Sequence, residues 1–188
     1  NKLTQGNQFY RPFQMITYLL DYKLSALNPQ VYHLFNLIFH LINVLLMYVL
    51  ICKFIRANQS TITSSDVWKK RLSTPDFSSD KIAFIGTLIF AIHPVNTQAV
   101  TYVSSRGDLL AAGFLLFIFI NFIGKTNLFL SVPLYILALL SKESSVVLPV
   151  IILLYLYLFD RNSLRNVKSR QTATLIILLI CAAGYTLF

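Results

Sequence analysis

The sequence predicts an all-α fold: a polytopic bundle of about six transmembrane helices, with one amphipathic helix on the outer membrane surface. Three observations lead there. Of the 188 residues 56% are hydrophobic and only 12% charged, with a mean hydropathy of +0.65. The apolar residues come in long blocks rather than alternating with polar ones. The basic residues fall mostly in the connections between those blocks. A net charge of +9 and a pI near 9.7 could accompany nucleic-acid binding, but this placement fits membrane topology instead, and no nucleic-acid partner is expected.

Residues 1–29 are expected to form an outer loop carrying the surface helix. The stretch YRPFQMITYLLDYKLSAL sets Phe13, Ile16, Leu19 and Leu20 against Arg11, Asp21 and Lys23, then stops at Asn28-Pro29. Residues 30–188 read as the transmembrane module. Its clearest span is Val31 to Ile51, close to the roughly 20 residues a helix needs to cross hydrocarbon. Arg56 to Lys81 is rich in Ser and Thr, contains Lys69-Lys70-Arg71, and reads as a solvated loop. Further apolar blocks run from Ile82 to Ile92, Asp108 to Ile123, Asn127 to Leu140, Val146 to Phe159 and Thr174 to Phe188. The basic connection DRNSLRNVKSR precedes the last. Cys52 and Cys181 lie in or beside apolar blocks and read as small buried hydrophobes.

Positive charge orients the module. The loop 56–81, the Gly124-Lys125 turn and residues 161–170 carry the lysines and arginines of short connections and are expected on the cytoplasmic side. The Asn58-Gln59-Ser60 sequon is then out of reach of lumenal glycosylation. The other face receives residues 1–28, 93–107 and 141–144. Around Ser141-Lys142-Glu143-Ser144 the flanking helices have about 14 apolar residues each, short of a full span. Pro149 is expected to interrupt the second of them. The charged turn must therefore sit in a thinned bilayer or a water-filled cavity.

Several residue types on that outer face can carry chemistry. His33, Asn36, His40 and Asn43 follow steps of 3, 4 and 3 and share one helical face. They either bond neighbouring helices or line a cavity. The two histidines, roughly 10 Å apart, do not make a metal site, and no metal ligand set is expected. His93-Pro94 is a helix end, with His93 placed to line the same cavity. In Arg106-Gly107-Asp108 the acid suits a helix N-terminus and the arginine suits an anion. Lys142 and Glu143 could neutralise each other. Yet Arg11, Arg106 and Lys142 come from three distant segments and map to one face, beside Asp108 and Glu143. Three cations there suit a phosphate or diphosphate headgroup on a lipid.

Three ordered blocks, YRPFQMITYLLDYKLSALNPQVYHLFNLIFHLIN, LIFAIHPVNTQAVTYVSSRGDLLAA and LALLSKESSVVLP, resemble the membrane module of GT-C glycosyltransferases, closest to the tetratricopeptide-repeat (TMTC-like) protein O-mannosyltransferases. The resemblance covers nearly all of the chain except the loop 56–81. It implies a GT-C type bundle with a C-terminal repeat domain in a longer chain. It further implies transfer of a sugar, mannose, from a polyprenyl or dolichyl phosphate carrier to a protein Ser or Thr hydroxyl on the outer or lumenal side. The membrane would be endoplasmic reticulum or bacterial inner membrane. Partners are then a lipid-linked sugar donor, an acceptor protein and membrane lipid. Displacement at the anomeric carbon would be inverting. Arg11, Arg106 and Lys142 would stabilise the leaving phosphate. Asp108 and Glu143 would orient them or bind a divalent cation, if one is used. The family's general base is expected upstream of Asn1, which would leave these 188 residues inactive alone. In the second block Gln98 stands where the family pattern has a glutamate. A transporter or flippase, and a non-catalytic membrane scaffold, are the competing readings.

Overall fold

The computed structural model describes residues 11–58, 79–165 and 169–187. Most of the 56–81 loop, including Lys69-Lys70-Arg71 and two residues of the sequon, lies outside them. The described residues form helices α1 (Pro12–Ser25), α2 (Pro29–Ala57), α3 (Ser79–Ile92), α4 (Val95–Thr101), α5 (Arg106–Gly124), α6 (Leu128–Ser141), α7 (Leu148–Phe159), α8 (Arg161–Arg165) and α9 (Arg170–Leu187). Single 3-10 turns occupy Val103–Ser105 and Glu143–Val147. No strand occurs among the described residues.

Proline marks the helix starts. Pro12, Pro29 and Pro149 each occupy the first turn of a helix, where the missing N–H has no partner to lose. Pro149 therefore opens α7 and does not interrupt it, a correction to the sequence expectation. Pro133 is the internal one, in α6. Asn28 caps α2 by accepting from the Gln30 N–H at 3.1 Å. Between α5 and α6, Lys125 adopts a left-handed φ of 51° and closes the turn.

Among the described residues two helices are long and apolar enough to cross a bilayer: the 29-residue α2 and Val103–Gly124. A third span results if α3 and α4, bent by 59°, are taken together. The remaining apolar helices Leu128–Ser141, Glu143–Phe159 and Arg170–Thr186 are 10–17 residues long, below the roughly 20 of a full crossing.

Burial is inverted relative to a water-soluble bundle. Helix α2 buries Asn36, His40 and Asn43 while Leu34, Leu37, Leu41 and Leu45 face outward. Helix α1 does the same: Gln14 and Asp21 are buried, whereas Met15, Ile16, Leu19 and Leu20 are exposed. Lipid exerts no hydrophobic force between helices, so polar side chains turn inward to find partners. Helix α5 packs against both α2 and α6. An apolar core of Ile118, Phe122, Tyr135, Leu148, Ile152, Leu156 and Leu178 joins α5, α6, α7 and α9. Helices α1 and α4 and both 3-10 turns gather at the end of the bundle where α5 begins.

Candidate functional site

The site grows from the start of α5. Successive helix positions point about 100° apart, so Arg106 and Asp108 leave the axis on nearly opposite sides. Each therefore meets a different neighbour. Gly107, between them, lies tight against α1 and the end of α6: a Cβ there would lie 2.7 Å from Gln14 Oε1 and 2.8 Å from the Ser141 carbonyl oxygen. Only glycine admits this approach without movement.

Arg106 is wholly enclosed by protein. Its Nη1 stands 2.5 Å from Asp21 Oδ2 in an ion pair whose side chains are 0% and 3% exposed. Nε donates to Asn36 Oδ1 at 2.9 Å and Nη2 to the Tyr32 carbonyl at 3.0 Å. The guanidinium lies over the Tyr18 ring, 4.7 Å from its centroid. Asn36 in turn donates to the Tyr102 carbonyl at 3.2 Å, and Tyr18 donates to the Val103 carbonyl at 2.5 Å. Thus Arg106 ties α1, α2 and α5 together. It cannot meet a ligand without first leaving Asp21.

Lys142 and Glu143 do not neutralise each other. Lys142 has extended backbone, φ −157° and ψ 137°, which sends consecutive side chains to opposite sides. Lys142 pairs with Asp108; the two side chains are 24% and 39% exposed. Glu143 pairs with Arg11 in a two-pronged bond, Nε to Oε2 at 3.0 Å and Nη2 to Oε1 at 2.6 Å. Burial pushes the Glu143 carboxyl up, but the Arg11 hydrogen bonds and charge, a backbone hydrogen bond and the nearby Lys142 charge together outweigh it and hold this turn residue below the usual glutamate range. The turn thus binds α5 with one residue and the start of α1 with the next.

A cavity of about 470 Å³ opens beside the Lys142–Asp108 pair. Asn96, Gln98, Ser105 and Ser144 supply further polar groups, with His40 and Asn43 behind them. His40 Nε2 is 3.2 Å from the Ala91 carbonyl, and Asn43 donates to the Leu109 carbonyl at 2.9 Å. His93 lines a smaller neighbouring cavity of about 200 Å³, again with His40, and accepts from the Val95 N–H at 3.2 Å. His33, expected on the same inward face, is exposed and lines neither. Asn36 faces Arg106 instead of the cavity.

The structure therefore joins Asp108, Lys142, His40 and Gln98 at one cavity and sets the Arg11–Glu143 pair beside it on the same turn. Sequence reasoning missed Asp21 as the partner of Arg106, and Asn96 and Ser144 as lining. A usable signal existed for Asp21: Gln14, Tyr18 and Asp21 follow steps of 4 and 3 and form a polar stripe on one face of the helix, opposite Met15, Leu19 and Leu20. Among the described residues no three of His, Cys, Asp or Glu gather around a point where one metal ion could sit. Each of the three acids at this end, Asp21, Asp108 and Glu143, already faces its own cation.

No family model matches the sequence, and no solved structure matches it. Curated proteins do. The chain is 33% identical over 118 residues to human Protein O-mannosyl-transferase TMTC3, covering 63% of this chain and 10% of that protein. It is 38% identical over 112 residues to Drosophila melanogaster Protein O-mannosyl-transferase Tmtc3, covering 57% and 11%. Mouse Protein O-mannosyl-transferase TMTC3 is 30% identical over 151 residues, covering 76% and 14%. The chain thus spans a small fraction of the length of these relatives.

Proposed function

The chain belongs to the TMTC-like protein O-mannosyl-transferases over the stretch it shares with them, and on that premise we propose that the Lys142–Asp108 cavity serves sugar transfer from a lipid phosphate to a protein. The donor is mannose on a polyprenyl or dolichyl phosphate, and the acceptor a Ser or Thr hydroxyl. The carrying observation is a cation, Lys142, paired with a carboxylate, Asp108, at the wall of a polar cavity of about 470 Å³ in a membrane protein. An intramembrane charge pair that lines a cavity is a functional arrangement by default.

In this reading the donor phosphate competes with Asp108 for the Lys142 ammonium. The lysine is suited to such an exchange, being a flexible point charge with rotatable donors. Its transfer to the phosphate leaves Asp108 without a counter-ion and able to accept the acceptor proton or hold its hydroxyl. The new bond joins the hydroxyl oxygen to the anomeric carbon; the bond from that carbon to the phosphate oxygen breaks, and the lipid phosphate leaves as a dianion. Lys142 stabilises that charge. Asn96, Gln98 and Ser144 are placed to hydrogen-bond sugar hydroxyls.

The Arg11–Glu143 pair adds a second cation on the same turn, and Arg106 acts as a positioning residue that fixes α1 against α5. A divalent cation, if used, would have to displace a cation already paired with each acid. The six-span GT-C topology, with this cavity lumenal and the Lys125 end cytoplasmic, belongs to the same proposal, as does an endoplasmic-reticulum membrane given the animal relatives. The bend of 59° between α3 and α4 favours a transporter as a second reading, since broken helices line solute paths.

Transfer of radiolabelled mannose from a polyprenyl-phosphate donor to protein, in membranes carrying the full-length protein, tests the proposal. Lys142→Gln is expected to abolish transfer while the protein remains inserted. Full activity in that variant would sink the assignment.

A further inference from the structure

We propose that the end of the bundle opposite the Lys142 cavity holds an anionic phospholipid, its phosphodiester headgroup between Lys125 and Arg170 and an acyl chain in the crease between α6 and α9. This rests on the chain crossing a bilayer and not on sugar transfer.

A cavity of about 560 Å³ lies where α6 and α9 both begin, and its lining divides into two parts. The rim carries Lys125, Thr126 and Arg170; the wall carries Phe129, Val132 and Ile177. Phe129 and Val132 are three positions apart on α6, so they stack along one face, and Ile177 lies two turns into α9, on the facing helix. A charged rim above an apolar crease is the inverse of a soluble anion site, which has no use for the crease. It matches a molecule with a phosphate at one end and hydrocarbon at the other.

The rim cations have capacity to spare. Lys125 is 60% exposed and shares its charge with Asp160 at 2.9 Å. The Arg170 side chain makes no ion pair or hydrogen bond among the described residues, although its carbonyl accepts from Thr174. The positive ends of both helices add to the same field. Phe129 is 92% exposed, a large apolar ring beside the charged rim, and lipid would cover it. A water-soluble occupant would leave it bare.

The test uses full-length protein reconstituted in vesicles with a photoactivatable phosphatidylserine or, at equal mole fraction, phosphatidylcholine. Labelled peptides are mapped by mass spectrometry. Phosphatidylserine is expected to label the first turns of α6 and α9 at least about fivefold more than phosphatidylcholine, since one basic residue near a membrane surface is worth about that factor. Arg170→Gln should remove about fivefold, and Lys125→Gln less, because Asp160 already holds part of that charge. Arg161→Gln, a same-side cation outside the cavity, should change nothing. Phosphatidylcholine labelling of the outward leucines of α2 reports intact insertion in every variant. Equal labelling by the two lipids, labelling indifferent to Lys125→Gln and Arg170→Gln combined, an equal loss with Arg161→Gln, or competition by inorganic phosphate alone would each overturn the proposal.

Discussion

Replacing Arg106 with methionine separates a positioning role from contact with the donor. The structure sets the size of the effect. The substitution removes two hydrogen bonds, to Asn36 Oδ1 and the Tyr32 carbonyl, and the contact with the Tyr18 ring. Above all it strands the Asp21 carboxylate, 3% exposed, without its cation. Hydrogen bonds between membrane helices average only about 0.6 kcal/mol each, so the stranded charge dominates. Breaking a buried pair from one side costs about 3–5 kcal/mol, a large part of the roughly 5–15 kcal/mol that holds a domain together. Asp21→Leu should cost a similar amount by stranding Arg106. The double variant Asp21→Leu/Arg106→Met leaves no buried charge and should recover about 2 kcal/mol or more of the summed losses. Detergent-solubilised protein titrated to unfolding, with helicity as the signal, gives all three values. If Arg106→Met unfolds within about 1 kcal/mol of the parent while sugar transfer is lost, the clamp is wrong and Arg106 touches the ligand.

Glycine substitutions probe the same junction from the backbone side. Gly107→Ala drives a methyl toward the Ser141 carbonyl and Gln14 and should cost about 1–3 kcal/mol, with transfer falling as Asp108 moves off Lys142. Gly184→Ala, where nothing lies within 4 Å, should instead stabilise by roughly 0.5–1 kcal/mol; thermal unfolding ranks the two. At the opposite end, burial pushes the Asp160 carboxyl up, but bonds from Lys125 and Ser163 outweigh it and the net value is depressed. A depressed folded value means stability that is full above the unfolded value of about 4 and lost as pH falls through the folded one. Asp160→Asn should therefore lower stability at neutral pH by no more than about 1 kcal/mol, change little at a pH below the folded value, and so flatten the acid limb of a stability–pH profile; an unaltered limb would show that the pair contributes nothing. Arg11→Gln, which breaks a pair whose side chains are 23% and 40% exposed, should lower stability by no more than about 1 kcal/mol. A loss of several kcal/mol in chemical unfolding would place that pair deeper than its exposure indicates.

The junction at the start of α5 was half legible in the sequence. Lys142, Glu143, Arg106, Asp108 and Arg11 stand out because charge among apolar residues is costly unless it faces protein or water. Their pairing was not legible. Adjacent Lys142 and Glu143 can neutralise each other on paper, and it is the extended backbone at Lys142 that sends them to Asp108 and Arg11. Arg106 read as a ligand for phosphate because its partner, Asp21, lies 85 positions away on a helix that composition alone places on the membrane surface.

What the sequence determined by itself is the solvent and the secondary structure. Long apolar blocks admit only helices in lipid, because every backbone N–H and C=O must be bonded within the segment, whereas that Pro149 opens a helix and does not interrupt one came only with the structure. The three blocks of family resemblance likewise need no coordinates. Tertiary structure decided which charges are clamps and which border a cavity. It also decided that His33 faces outward while Asn36, His40 and Asn43 face in. The reason is physical. Helical periodicity places a polar residue on a face, but which neighbour that face meets depends on contacts between residues far apart in the chain. Close approaches such as that at Gly107 then fix which carboxylate reaches which cation.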